Sequence, residues 1–385
     1  MKTKIIGCTS SRADFGILKN LFHKVDNNNN FDLTILATGS HFNSEYGYSF
    51  NEIKNMNFKK VKKIKIDSKF SSINSSIKFS TQLMNSFGVF IQKIKPDFII
   101  LLGDRFETFF LAVTAYFNNI NIIHLHGGEL TFGSFDEGFR HSITKMSTIH
   151  FVSNLIHKKR VIQLGENPKF VHDVGSLSCE NIKEFNFFNK AQIQNKLSLK
   201  LKKNNFIIAY HPETISNLNQ VKNFNEILKA IKKFKNSLFV FTMPNIDPEN
   251  KKISQMIKNF VIKNGKNCKY FENLGYETFI SLLKLCDGII GNSSSGIMEA
   301  PSLKTGVINI GSRQEGRLKS KSVISCKPKR NEIFNNINKI ITTRYKTKIK
   351  SFKNPYEKDK TSDKIMSKII NFDLKKYKFK KFYDL

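Results

Sequence analysis

The sequence predicts an α/β protein of two doubly wound, Rossmann-like domains facing across a cleft. Three observations predict it. Short apolar strand-like runs alternate with helix-spaced apolar stripes along the chain. Phe98–Leu102 is wholly apolar, as a strand covered on both faces should be. The 385 residues exceed one small core and suit two domains of roughly 150 to 200 residues each. The lysine- and asparagine-rich stretch from Ile182 to Asn205 is the best boundary. It divides an amino-terminal domain over residues 1–180 from a carboxyl-terminal domain over 181–385, whose tail packs back on the first.

In the first half, Lys4–Thr9 is a strand with its exit at Ser10–Arg12, and Ala13–Val25 is a helix with Phe15, Leu18, Leu21 and Phe22 on one stripe. Strand Asp32–Ala37, helix Thr81–Ile94, strand Phe98–Leu102, helix Phe106–Phe117 and strand Ile120–Leu125 follow. Helix Phe135–Met146, strand Ile149–Val152, helix Leu155–Leu164 and strand Phe170–Val174 complete the half near Gly175-Ser176. The second half begins with strand Phe206–Tyr210, helix Val221–Lys233, strand Ser237–Thr242 and helix Pro248–Asn259. A short helix over Phe279–Leu285 leads to strand Gly288–Ile290, an Asn-Ser-Ser-Ser-Gly loop, helix Ile297–Leu303 and strand Val307–Ile310. Ligands of such sheets bind at the carboxyl ends of the strands, so the chemistry is expected between the halves.

Composition narrows the function. No stretch reaches the roughly 20 apolar residues that span a bilayer, and Met-Lys-Thr-Lys runs straight into a strand without a signal-peptide segment, so a cytoplasmic protein is expected. Cys8, Cys179, Cys268, Cys286 and Cys326 have neither disulfide nor metal spacing, and His124 and His126 sit at a strand exit without further histidines nearby. No metal is implied. The formal charge of +32 is spread as lysines among asparagine and phenylalanine, with no zinc finger, RNA-binding aromatic signature or basic docking helix, so no nucleic-acid partner is expected. A basic cleft would equally favour a small anionic substrate. Neither a Gly-x-Gly-x-x-Gly fingerprint nor a Walker A sequence is present, which disfavours a nicotinamide cofactor and P-loop hydrolysis.

The charged residues gather at strand exits. Arg12 reaches either an anion or a carboxylate such as Asp14 or Asp104. Asp104, Arg105 and Glu107 read equally as helix capping with an Asp–Arg pair or as a catalytic carboxylate. Gly127 and Gly128 would let backbone approach a ligand just before Glu129, or simply form the turn. Ser134 and Glu137 have capping-box spacing; Asp136 and Arg140 lie one turn apart, as a salt bridge or as an acid/base beside a phosphate-binding arginine. In the second half His211 and Glu213 follow a strand and could contact a ligand or form a surface turn. The loop Gly291-Asn292-Ser293-Ser294-Ser295-Gly296 offers N–H and hydroxyl donors to a phosphate, and Glu299 is placed for ribose hydroxyls or for helix-end stabilisation.

Taken together, these residues closely resemble the hydrolysing UDP-N-acetylglucosamine 2-epimerases of sialic and related nonulosonic acid biosynthesis. The resemblance runs from Cys8 to about Gly316 through Ser11-Arg12-Ala13-Asp14-Phe15-Gly16, Gly103-Asp104-Arg105 and His124-Leu125-His126-Gly127-Gly128-Glu129. It continues through Asp136-Glu137, Arg140-His141, Ile143-Thr144-Lys145-Met146, Arg160 to Glu166, and Asn292 to Pro301. It implies a two-domain glycosyltransferase B fold, with UDP held mainly by the carboxyl-terminal domain. UDP contacts would fall on Arg12, His211, Ser293, Ser294, Ser295, Gly296 and Glu299, catalytic carboxylates on Asp104, Glu129 and Asp136, and Arg140 would face the diphosphate. Whether His126 or Glu129 takes the working position of that turn stays open. The implied reaction releases UDP and N-acetylmannosamine from UDP-N-acetylglucosamine and water through a 2-acetamidoglucal, in a homodimer without cofactor. The alternatives are the same reaction on UDP-N,N'-diacetylbacillosamine, of the legionaminic acid pathway, a UDP-sugar glycosyltransferase, and a nucleotide-sugar sensor.

Overall fold

The computed structural model of the protein describes residues 2–43, 48–66, 73–132, 134–212, 219–243, 250–373 and 380–385. The chain divides into two units: Met1–Glu129, Asp136–Asn181 and Tyr356–Leu385 form the first, Leu130–Phe135 and Ile182–Pro355 the second.

The first unit is built on a seven-stranded parallel sheet in the order β3-β2-β1-β4-β5-β6-β7. Its strands are β1 (Thr3–Thr9), β2 (Phe31–Ala37), β3 (Val61–Lys63), β4 (Phe98–Leu102), β5 (Asn121–Leu125), β6 (Ile149–Val152) and β7 (Val171–Asp173). The unbroken apolar run of β4 follows from the pleat: Phe98, Ile100 and Leu102 enter the core on one face, Ile99 and Leu101 that on the other. On the first face lies α1 (Arg12–Asp26), its start fixed by the Ser11 side chain accepting from the Asp14 N–H. Helices α2 (Phe50–Lys54), α3 (Ile73–Ile94), α4 (Phe106–Phe117), α5 (Asp136–Met146), α6 (Leu155–Gln163) and α7 (Leu177–Glu184) follow, the division between units falling within the last. Helix α3 starts two turns before the expected Thr81. Its Ser80 and Thr81 hydroxyls donate to the Ser76 and Lys78 carbonyls, at 2.8 and 2.9 Å, and so stay inside the helix rather than ending it.

The second unit contains α8 (Lys190–Leu197), α9 (Gln220–Ile231), α10 (Asn250–Asn264), α11 (Tyr276–Leu285), α12 (Ser295–Met298), α13 (Arg330–Ile340) and α14 (Thr343–Lys350). Its six parallel strands are ordered β10-β9-β8-β11-β12-β13, formed by β8 (Asn204–Ala209), β9 (Ser237–Thr242), β10 (Cys268–Phe271), β11 (Gly288–Gly291), β12 (Gly306–Ile310) and β13 (Val323–Cys326). Here Phe206 and Ile208 face one core and Ile207 and Ala209 the other. Pro248, where a helix was expected to begin, lies outside the described residues. The expected helix Ile297–Leu303 is instead the single turn α12. Pro301 has no N–H and restricts Ala300, so the chain closes through Ala300 N–H to Ser295 O (2.9 Å) and Thr305 N–H to Ala300 O (3.0 Å).

Helix α15 (Thr361–Ile370) returns to the first unit, where Ile365 and Ile369 join the core beneath α1. The expectation of two doubly wound parallel sheets holds. In each, the strand order reverses once, between β1 and β4 and between β8 and β11. Beside such a reversal the strand exits leave room for a ligand.

Candidate active site

Because β1, β4 and β5 are adjacent and parallel, their exits at Ser10–Arg12, Gly103–Arg105 and His126–Glu129 lie on one edge of the first sheet. Arg12 opens α1 and pairs with Glu52 of α2, both side chains being about one-third exposed. The carboxylates expected to meet it are engaged elsewhere. Asp14 accepts the Ser10 hydroxyl (2.9 Å) and lies 3.9 Å from Arg105, while Asp104 bonds Arg140. The reason is local: Asp14 is turned back by the first turn of its own helix, whereas α2 delivers Glu52 from outside.

Arg140 is the largest fully buried side chain among the described residues. Its guanidinium binds Asp104, Glu137 (2.7 Å) and the Glu129 carbonyl (2.9 Å). Burial alone would lower its pKa, but the charges of Asp104, Glu129 and Glu137 prevail and raise it. The structure therefore places Arg140 inside a carboxylate network. Glu137 also meets His141 (3.2 Å). Asp136, partly buried in the first turn of α5, adds its charge to those of Glu107 and Asp14 in keeping the half-buried Arg105 cationic against its desolvation.

Glu129 is buried, and one carboxylate oxygen meets His126 Nδ1 at 3.1 Å. His126 holds φ +65°, and Gly128 holds φ +75° at a point where a Cβ would lie 2.5 Å from the His157 carbonyl oxygen, so no side chain fits there. Arg160 of α6 donates to the Gly128 carbonyl from below. His124, two residues earlier and within β5, has both nitrogens occupied, by Gly103 O (2.8 Å) and Thr144 Oγ1 (3.2 Å). Burial depresses its pKa to about 3, so it is a neutral brace between β5 and the exit of β4.

In the second unit the exits flanking the reversal are tied together. Asn292 Oδ1 accepts from the His211 N–H and Asn292 Nδ2 donates to the His211 carbonyl, both at 2.7 Å. Gly291, at φ +140°, is required because a Cβ would lie 2.0 Å from the Ala209 carbonyl oxygen. Ser293, Ser294 and Ser295 are half-buried, Ser293 Oγ accepting from the Ser295 N–H (3.3 Å), and Gly296 and Glu299 are buried. Burial and then the Arg313 charge lower the His211 pKa to about 3, leaving a neutral imidazole. Glu213 lies outside the described residues. The structure thus joins Asp104, Arg140 and Glu129 in one network, with Asp136 on the same helix as Arg140, and groups His211 with the serine loop.

Sequence reasoning missed Glu52, Arg313, Gln314 and Arg317, and gave Arg160 no role beyond its place in a motif. The polar run Gly311–Arg317 after β12 was a usable signal, because it too is a strand exit: Arg313 and Gln314 donate to the Asn292 carbonyl at 3.1 and 2.9 Å. Arg317 binds the Leu130 carbonyl (2.7 Å) and Thr131 Oγ1 (3.0 Å) within the second unit. Among the described residues no three His, Cys, Asp or Glu side chains gather as metal ligands, and no helix is long and apolar enough to cross a membrane.

A family model described as UDP-N-acetylglucosamine 2-epimerase matches residues 23–370. Over 328 residues, 84% of each chain, the protein is 42% identical to the GDP/UDP-N,N'-diacetylbacillosamine 2-epimerase (hydrolyzing) of Campylobacter jejuni. Over 384 residues, 99% of this chain and 97% of the other, it is 37% identical to polysialic acid biosynthesis protein P7 of Escherichia coli. The structure of UDP-GlcNAc 2-epimerase from Neisseria meningitidis bound to UDP-GlcNAc matches with a TM-score of 0.79 at 18% identity, over 96% of this chain and all of that one. That likeness establishes the glycosyltransferase B type of fold.

Proposed function

The chain belongs to the UDP-N-acetylglucosamine 2-epimerase family, and from that premise we propose that it is a hydrolysing 2-epimerase acting on UDP-N,N'-diacetylbacillosamine in nonulosonic acid biosynthesis. The observation that carries the reaction class is the network at the exits of β4 and β5, where Arg140 holds both the Asp104 carboxylate and the Glu129 backbone. Removing the C2 proton needs a base, and returning one to the opposite face needs a second acid/base group. Asp104, Glu129 and Asp136 are the proposed set. As the C2–H pair becomes the C1=C2 bond, UDP leaves C1 with its bonding pair, giving a 2-acetamidoglucal. Water then supplies hydroxyl to C1, and C2 is reprotonated with inversion.

Departure of UDP requires stabilisation of diphosphate charge. Arg12, whose partly exposed pairing with Glu52 an anion can replace, is proposed for that role, and so are the N–H and hydroxyl donors of Ser293, Ser294, Ser295 and Gly296. His211 and Glu299 contact the nucleoside, and Arg140 acts by holding Asp104 and Glu129 in place. No cofactor is required, and the enzyme works as a cytoplasmic homodimer. The acetamido group at C4 rests on the relative at 42% identity; the family model's description supports UDP-N-acetylglucosamine as the second reading.

Incubation with each UDP-sugar in deuterated water, followed by proton NMR, tests both points. UDP release with a free 2-epimerised sugar carrying deuterium at C2 is expected from the diacetylated substrate. UDP release only in the presence of a sugar acceptor would instead indicate a transferase.

A further inference from the structure

Beside the proposed acid–base set stands one heterocycle that has been given no task. His126 stands at the end of β5 in a left-handed conformation, φ +65°, that side-chain-bearing residues rarely adopt. Its side chain is 10% exposed. Nδ1 meets the Glu129 carboxylate at 3.1 Å, and Nε2 is buried with no hydrogen-bond partner among the described residues. An ionised carboxylate can only accept, so Nδ1 carries a proton toward Glu129, and in the neutral ring the lone pair lies on Nε2. Leaving a buried polar atom unpaired costs stability, so the fold must hold it there for a reason. The neighbouring backbone is built to hold it there: Gly128 admits no side chain, Arg160 fixes the Gly128 carbonyl, and Arg140 fixes that of Glu129.

Resting on the epimerase reading, we propose that His126 is the base that removes the C2 proton, and that Glu129 takes its part in the acid–base set through His126, as the positioning residue behind it, rather than at C2 itself. In the elimination step Nε2 takes the proton, the C2–H electron pair forms the C1=C2 bond, and the C1–O pair leaves with UDP. The imidazolium is stabilised by Glu129, and its proton passes to solvent before C2 is reprotonated from the other face. Asp104 and Asp136 are thereby left for that reprotonation and for activating water. The charged groups around the turn are Glu129, Arg140, Asp104, Glu137 and Arg160.

The decisive variant is His126→Asn. Asparagine tolerates a left-handed φ and keeps a short side chain directed toward Glu129, but reaches nothing at the Nε2 position. With UDP-N,N'-diacetylbacillosamine or UDP-N-acetylglucosamine, whichever the wild type turns over, kcat is expected to fall at least 100-fold while UDP affinity by calorimetry stays within threefold. His126→Gln, which restores a polar atom near Nε2 but no base, is expected to stay equally slow. Either variant retaining kcat within threefold of wild type overturns the proposal. So does loss of UDP binding in both, the mark of a purely structural histidine. Wild-type protein inactive toward both sugars defeats the epimerase reading and this inference with it; active wild type with an active His126→Asn defeats the inference alone.

Discussion

The first unit holds two histidine–glutamate pairs that look alike. His126–Glu129 and His150–Glu166 have bond lengths of 3.1 and 2.9 Å, both pairs are buried, and both leave the second ring nitrogen without a partner among the described residues. Their surroundings differ. His150 lies in mid-strand in β6, in register with Val171 and His124. Glu166 also binds Lys145 (2.8 Å) and Lys380 (2.6 Å), and Lys380 donates in turn to the Thr144, Lys145 and Ser147 carbonyls at the end of α5. Burial would raise the Glu166 pKa, but the His150 bond and charge and the lysines bring it down to about 2. Burial meanwhile lowers His150 against the pull of Glu166 and lowers Lys380 to about 8. The second pair is a clamp whose carboxylate charge is neutralised by lysines. The first sits past a strand end, on a strained turn. A buried His–Glu pair is thus no sign of catalysis by itself; its place relative to the strand exits separates the two.

Four substitutions or conditions test that contrast, the largest effect first. Arg140→Met removes a buried cation from the half-buried carboxylates of Asp104 and Glu137 and should cost about 3 kcal/mol in urea unfolding, with turnover lost. Glu166→Gln should cost about 2 kcal/mol, less because Lys145 and Lys380 can turn toward water, with kcat within threefold of wild type. A hundredfold loss of kcat there would erase the distinction between the pairs. Glu129→Gln should reverse the pattern, lowering kcat about 10- to 100-fold, or 1.4–2.7 kcal/mol, with unfolding free energy within about 1 kcal/mol. The smallest effect is in acid. The folded Glu166 pKa near 2 lies below the unfolded value of about 4.3, so its stabilisation is complete above about pH 5 and is lost as pH falls through 2. The stability gap between wild type and Glu166→Gln should narrow across that window, and a gap constant from pH 5 to 2 would contradict the depressed pKa.

Much of this was legible because its signal is local. The β4 run is apolar on both faces, and Asp104, Glu129 and the Asn292–Gly296 loop each sit within a few residues of a strand end. What escaped depends on contacts distant in sequence. Glu52 sits in a five-residue helix among asparagines and lysines, too short for a periodic stripe, and nothing near Arg12 points to it. Arg160 reaches Gly128 from another helix, and Lys380 reaches Glu166 across more than 200 residues. Strand β3, Val61–Lys63, has two of its three residues exposed and shows no alternation to read. The Arg140 partners were individually visible as charged residues, but their convergence on one guanidinium was not, because spacing along the helix suggested Asp136 instead.

The return of α15 beneath α1 carries a consequence for how the molecule is made. Residues 182–355 are threaded out before Tyr356–Leu385 can complete the first unit, a delay of roughly 10 to 35 s at ordinary ribosomal speed. Throughout that interval the unit begun first stays unfinished, with the ground that Ile365 and Ile369 will cover still open and Glu180 waiting for the Ser362 N–H. The second unit, contiguous apart from Leu130–Phe135, can close while its elder sibling waits. The unit begun first is thus the one that can be finished only last.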